Sequence, residues 1–512
     1  MKLDPISIRW ALESLSKLGD SDLFPKPAEF FVFADELDKV VDTFSTIDIS
    51  NHNPGSPRRF IVPKDNLSYR AATQLDPMDS VVFTAIMHQF GAQIESRRIP
   101  VDQNRVFSYR FCPSIEGDLY DSREAWNCFW NQCYLKSKEY EYALILDISD
   151  FYNQIYHHTI ENQLGESGFP NQIIKWIMKL MVSISATVSR GIPVGPHPSH
   201  LIAEACFIPI DNSLAARGLD FCRFVDDIIL FANDESTLRT LLYQIAEILD
   251  KQQRLQLQKS KTAIMQSNPF RDYCYHMIED RPINFLERKL ISVVEKYAKG
   301  NPYRTVFLSE LSEEDLQSIS KDAVDKILSD YLKQKEPDFA RLRWFVRRLS
   351  QTRHPAAIEF LLNNFEKLIP ALSDICHYFA SIGPHAELDW ANIGGKLIEL
   401  LDNEIVCSNE YFQLSIYSLF NRATELDHTP TILRKYKNSS PALRREIILT
   451  ASAINMVDWL RELKEDFLSM DPWTRRAFLY ACRILPDDER KHFIRYVNSS
   501  DILEKLISDW AK

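Results

Sequence analysis

Two adjacent carboxylates interrupt an otherwise apolar, β-prone run, Phe221-Cys222-Arg223-Phe224-Val225-Asp226-Asp227-Ile228-Ile229-Leu230-Phe231-Ala232. The run is too short, and too rich in aromatic and β-branched residues, for a helix. It predicts a hairpin with the acids at its tight turn. Holding like charges together against apolar strands costs several kcal/mol unless a cation neutralises them. Taken alone, the pair leaves two readings open, a metal site or an ordinary exposed Asp-Asp turn between two strands.

A second acidic strand lies upstream. Tyr142-Ala143-Leu144-Ile145-Leu146-Asp147 is an apolar strand that delivers Asp147 at its end, and a helical segment follows. Two strands presenting carboxylates at one edge of a sheet can hold two Mg²⁺ ions for in-line phosphoryl transfer. One ion would activate the attacking hydroxyl and the other would steady the leaving pyrophosphate.

On these residues the chain resembles a reverse transcriptase. The Asp147 strand stands as the first palm motif, and Phe224-Val225-Asp226-Asp227 stands where that family has Tyr-Ala-Asp-Asp. The resemblance implies catalytic and metal-binding roles for Asp147, Asp226 and Asp227. The resemblance also implies the Ile148 backbone carbonyl as a further metal ligand and Asp150 as a supporting group. Mg²⁺ is the expected cofactor, as two ions, with Mn²⁺ as a substitute.

Tyr152, five positions after Asp147, falls where the family places an aromatic against the sugar, which implies a preference for deoxynucleotides. Arg58-Arg59-Phe60-Ile61-Val62-Pro63-Lys64 reads as a basic strand, and Arg70 follows it. The family's fingers use such cations on the incoming triphosphate, for which a guanidinium fork suits phosphate oxygens. Lys64 and Arg70 are thus the expected dNTP-binding cations, ahead of Arg58 or Arg59. The loop Arg190–Ser199 and a helix from His200 to Ser213, with Pro209 inside it, match the second palm motif, so Pro193 and Gly195 line the expected nucleotide site. One departure stands out. The family's Pro-Gln-Gly appears as Pro193-Val194-Gly195, and loss of that Gln puts faithful templated copying in doubt. Lys261, in the Lys-rich turn after Leu255-Gln256-Leu257, fits the position of a proton donor to pyrophosphate.

The N-terminal pieces Phe24-Pro25 and Pro27-Ala28-Glu29-Phe30, together with Val194 and Glu204, favour one branch, the abortive-infection (Abi) reverse transcriptases of bacterial phage defence, prophage type. From about Arg288 onward the chain reads as successive helices. Ser440-Pro441-Ala442-Leu443-Arg444-Arg445 recurs as Asp471-Pro472-Trp473-Thr474-Arg475-Arg476, each a polar cap and proline opening an amphipathic helix. The expected fold is an α+β right-hand polymerase fingers and palm followed by an all-α, HEAT-like helical-repeat domain. Its boundaries are an N-terminal helical segment at 1–50, fingers at 51–140, palm at 141–280 and helical repeats at 281–512. For the arginine-dense helix Asp338–Arg348 two readings are open, a groove for single-stranded DNA or a bridge to acidic neighbours.

Bulk properties qualify the resemblance. The net charge is −11, unusual for a protein that grips long nucleic acid. Nine cysteines form no Cys-x-x-Cys pair, which speaks for a reducing cytoplasm and against zinc or a disulfide frame. No segment reads as a signal or a membrane span, so a bacterial cytoplasmic location is expected. The branch implies an antiviral nucleotidyltransferase that uses dNTPs without a template and starts from a hydroxyl on the protein. Its single-stranded DNA product would stay covalently attached, and the protein would form a homo-oligomer. The alternatives are an RNA-templated reverse transcriptase with a bound RNA, or a polymerase-derived oligomeric scaffold that binds a phage component.

Overall fold

The computed structural model of the protein describes residues 1–121, 124–186, 188–278, 281–298, 304–383, 388–497 and 499–512. The expected palm boundary at residue 280 lies outside them. The chain forms two compact units. One comprises Met1–Asp22, Phe33–Arg59 and Ala72–Arg281, and the other Leu23–Val32, Phe60–Ala71 and Pro282–Lys512.

The first unit is built on a four-stranded antiparallel sheet. Strands β1 (Arg58–Pro63) and β2 (Tyr69–Gln74) form a separate hairpin. The main sheet has the order β4-β5-β3-β6, from β3 (Tyr142–Asp147), β4 (Phe221–Phe224), β5 (Asp227–Ala232) and β6 (Ala263–Gln266). Alternation sorts the strand residues onto two faces. Ala143, Cys222, Ile229 and Phe231 pack under Phe129, Trp130 and Cys133 of the helix Ala125–Lys136 and under Phe270, Cys274 and Met277 of the helix Ser267–Ile278. Trp130 belongs to this cluster and Trp126 packs against it. The opposite face lies against the helix Glu235–Gln253, whose N-terminus is capped by Asp234 accepting from the Thr237 amide.

The helix Pro198–Ala216 begins two residues before the expected start, because proline suits a first turn, where its missing N–H costs nothing. Pro209 is accommodated inside it. Pro77–Glu95 is likewise a helix, opened by Asp76 accepting from the Met78 amide, and its Phe83 and Met87 are fully buried.

In the second unit every described regular element from Pro282 onward is helical. The recurrence read in sequence becomes physical structure. Ser440 caps Pro441–Ala453 and Asp471 caps Pro472–Ala481, each side chain accepting from the first turn. Two more helices continue the series, Glu410–Arg422 capped by Asn409 and Ile502–Ala511 capped by Asp501. The four caps fall at 409, 440, 471 and 501, spacings of 31, 31 and 30 residues, and each helix packs on the next. The repeated arginines Arg445 and Arg476 both turn inward onto Glu29, at 2.6 and 3.0 Å.

The arginine-dense helix, Phe339–Thr352, resolves to the bridging reading within this unit. Arg341 pairs with buried Glu287, Arg347 with Asp374, and Arg343 donates to the Pro63 and Pro370 carbonyls. Arg341 and Arg348 also lie over the Trp344 ring. Among the described residues no helix is long and apolar enough to cross a membrane.

Candidate active site

The hairpin predicted around the paired acids is formed by β4 and β5, with Val225 and Asp226 between them. Asp147 and Asp227 are register partners on β3 and β5. Directly opposed residues share a face, with Cβ atoms about 4.5–5.5 Å apart. Sequence therefore delivers two carboxylates to the same spot from strands 80 residues apart (227 − 147), and Asp226 adds a third from the turn.

The electrostatics register this crowding. Burial, and then the charges of Asp226 and Asp147, push the Asp227 carboxyl up to about 7, while Lys261 pulls the other way. Lys261 donates from Nζ to Asp147 Oδ2 at 2.6 Å. Burial works against its charge, but the bond to Asp147 and the three carboxylates overcome that and raise the ammonium above its ordinary range. Asp147, Asp226, Asp227 and Lys261 thus form one interacting group.

Among the described residues no group of three or more His, Cys, Asp or Glu side chains is placed to hold a metal ion. The donor chemistry nevertheless fits a divalent cation. The donors are hard carboxylate oxygens, and their mutual repulsion at Asp227 is what a dication relieves.

Backbone bonds fix the surroundings. The Ile148 amide donates to the Asp226 carbonyl at 3.2 Å, and the Gln258 amide to the Asp147 carbonyl at 2.8 Å, so the strand end is held on both sides. Asp150 adopts φ +50 and accepts from Asn153, opening the short helix Phe151–Gln154. Tyr152 shares a 2.6 Å hydrogen bond with His200 Nδ1, and its carbonyl receives the Ile192 amide at 2.9 Å. The Pro193–Gly195 loop is thereby tied to Tyr152 at one end, and the Val194 carbonyl accepts from the Thr73 amide at 2.8 Å. Gly195 has φ +127, a conformation that side chains other than hydrogen resist. Lys64 and Arg70 belong to the segment Phe60–Ala71, which is compact with the second unit.

Sequence reading missed what lies beneath the hairpin. Val225, a β-branched residue, sits at φ +55, which costs about 1–3 kcal/mol and must be paid back by its surroundings. On the sheet face opposite the carboxylates, fully buried Arg223 pairs with Glu204 at 2.8 Å and Asp211 at 2.7 Å. Arg98 reaches Glu204 from the other side at 2.7 Å. Burial raises the Glu204 carboxyl, but Arg223 and Arg98 more than reverse this and hold it below its ordinary value. The signal was present in the sequence. An arginine at an inward strand position needs acids, and Glu204 and Asp211 are seven apart on one helix face.

Residues 62–287 match the family described as reverse transcriptase (RNA-dependent DNA polymerase). Among similar solved structures is apo telomerase from Candida tropicalis, 11% identical, covering 76% of this chain and 73% of that one at a TM-score of 0.31. No curated protein matches the chain. A domain of this family indicates a nucleotidyltransferase of the RNA-directed DNA polymerase type.

Proposed function

We propose that this chain, carrying a reverse transcriptase domain, makes DNA in bacterial phage defence without a template, starting from one of its own hydroxyl groups. The catalytic part rests on one observation, the Asp147–Asp227 pair opposed across β3 and β5 with Asp226 in the adjoining turn. Asp147, Asp226 and Asp227, with the Ile148 carbonyl, would hold two Mg²⁺ ions, for which Mn²⁺ could substitute. When bound, the ions supply charge stabilisation and an activated hydroxyl. Lys261 leaves Asp147 and hands a proton to the departing pyrophosphate. Lys64 and Arg70 bind the triphosphate, Tyr152 faces the sugar and favours dNTPs, and Pro193 and Gly195 shape the nucleotide site.

The finer reading is supported by Val194 in place of the family's Gln, by the net charge of −11, and by the capped helical series after the palm. That series is read as a HEAT-like repeat domain that serves a homo-oligomer. A product tethered to the protein needs little non-specific affinity for nucleic acid, which suits an acidic chain.

The test is to incubate purified protein with Mg²⁺ and each labelled dNTP in turn, without template or primer, and to run a denaturing gel. Label that stays with the protein through denaturation is expected, and Asp226→Asn should abolish it while the melting temperature holds. Label appearing only after RNA and a primer are added would mean a templated enzyme. Phage protection that survives Asp226→Asn would instead point to a scaffold.

A further inference from the structure

The stretch Arg105–Tyr109, inside the expected fingers, carries none of the motif residues, yet it touches both halves of the site. Arg105 to Phe107 runs beside β4. The Arg223 amide donates to the Arg105 carbonyl at 2.7 Å, and the Phe107 amide to the Arg223 carbonyl at 3.1 Å. The next residue, Ser108, is fully buried. Its hydroxyl donates to Glu204 Oε1 at 2.5 Å and accepts the Val225 amide at 2.9 Å. Arg223 Nη1 takes the Val225 carbonyl at 2.8 Å. Both backbone polar groups of the strained turn residue are thus held by side chains of one buried network.

Tyr109 follows at φ +45, another left-handed residue that is not glycine. Its ring stacks on His200 at 3.9 Å with 4° between planes, and His200 holds the Tyr152 hydroxyl. Arg98 donates to both carbonyls of the pair, Ser108 at 2.6 Å and Tyr109 at 2.8 Å. One guanidinium therefore holds two successive carbonyls, one on the residue that reaches the carboxylate turn and the other on the residue that reaches Tyr152 through His200.

We propose that Ser108 and Tyr109 are positioning residues, Ser108 setting the Val225–Asp226 turn and Tyr109 setting Tyr152 through His200. A serine is suited to the first task because its one hydroxyl donates and accepts at once. With alanine there, the Val225 amide and a Glu204 oxygen each lose a partner in a site without water access. A flat aromatic is suited to the second, since stacking fixes the plane of His200 and hence the direction of its bond to Tyr152.

The proposal rests on reading these carboxylates as the reaction centre, so the experiment carries a readout independent of catalysis. Ser108→Ala, Ser108→Thr, Tyr109→Leu and Tyr109→Phe are compared with wild type in the full chain. Amide hydrogen exchange is followed in divalent-free buffer over peptides spanning 221–232. Ser108→Ala should speed exchange about tenfold at the turn while β3 and β6 stay protected, and Ser108→Thr should restore it. Its dNTP turnover should fall about tenfold or more with KM within twofold. Tyr109→Leu should leave the turn's exchange alone and cut selectivity for dNTPs over rNTPs about tenfold, with Tyr109→Phe close to wild type. Wild-type exchange at the turn in Ser108→Ala, or a rise spread evenly over the sheet, overturns the first role. Unchanged sugar selectivity in Tyr109→Leu overturns the second. If wild type incorporates no nucleotide at all, the functional reading fails, and the exchange pattern still decides for or against the brace.

Discussion

Asp227 is the residue at which the site's electrostatics can be read in solution. Its carboxyl stands at about 7 in the folded protein, through burial and the neighbouring Asp226 and Asp147 charges, against 3.8 ordinarily. Between those values the folded chain keeps a proton that the unfolded chain releases, so stability is lost as pH rises through about 7. In chelator, the melting temperature of wild type should fall relative to Asp227→Asn between pH 5 and pH 8, and the divergence should close on adding Mg²⁺. A difference independent of pH would mean that Asp227 is not crowded by its neighbours. Lys261 invites a complementary test. Its ammonium occupies the Asp147 oxygen that a metal ion would use. Lys261→Met should therefore lower the Mg²⁺ concentration for half-maximal activity. Loss of a proton donor should at the same time cut the maximal rate by roughly 10²–10⁴-fold. Titrating Mg²⁺ against initial rate separates the two effects.

At the scale of elements, the second unit hangs part of its helical series on one carboxylate. Glu29 opens the short helix Glu29–Asp35 and is buried against Arg445 and Arg476, the matching arginines of two successive capped helices. Burial raises its carboxyl, but the two guanidiniums overcome this and bring it down to about 2. Its stabilisation is therefore fully present above the ordinary 4.5 and is lost as pH falls toward 2. Glu29→Gln, which strands two buried cations, should cost about 3–5 kcal/mol at neutral pH by denaturant unfolding, and clearly less near pH 3. The sequence announced the two capped helices through Ser440-Pro441 and Asp471-Pro472, because caps are local chemistry. It did not announce that Arg445 and Arg476 share a partner more than 400 residues away, because nothing in a stretch such as Pro27-Ala28-Glu29-Phe30 encodes what it meets. The same division holds at the site. Strand-end acids and the hairpin were legible from alternation and composition. Ser108, whose role is set by contacts 96 and 117 residues distant, was not.

At the scale of the whole molecule, charge is the property that separates the functional readings. An enzyme that draws affinity from six to ten phosphate contacts loses roughly 10³–10⁵ in binding between 50 and 200 mM salt. This chain has 60 Lys and Arg against 71 Asp and Glu. Its arginine-dense helix spends Arg341, Arg343 and Arg347 on neighbours inside its own unit. Under the proposed function the chain extends a strand it already carries and needs no counterion release to hold a free primer–template. Covalent attachment, as proposed, would replace a salt-sensitive binding step with an intramolecular one, whose effective concentration is set by chain reach rather than ionic strength. Attachment of the first labelled nucleotide should accordingly change by no more than about threefold across that salt range, since only the triphosphate is bound through charge. Supplying an external primer should not raise the rate. A decline of several hundredfold with salt, rescued by primer at low ionic strength, would assign the carboxylate centre to a conventional enzyme that binds its nucleic acid from solution.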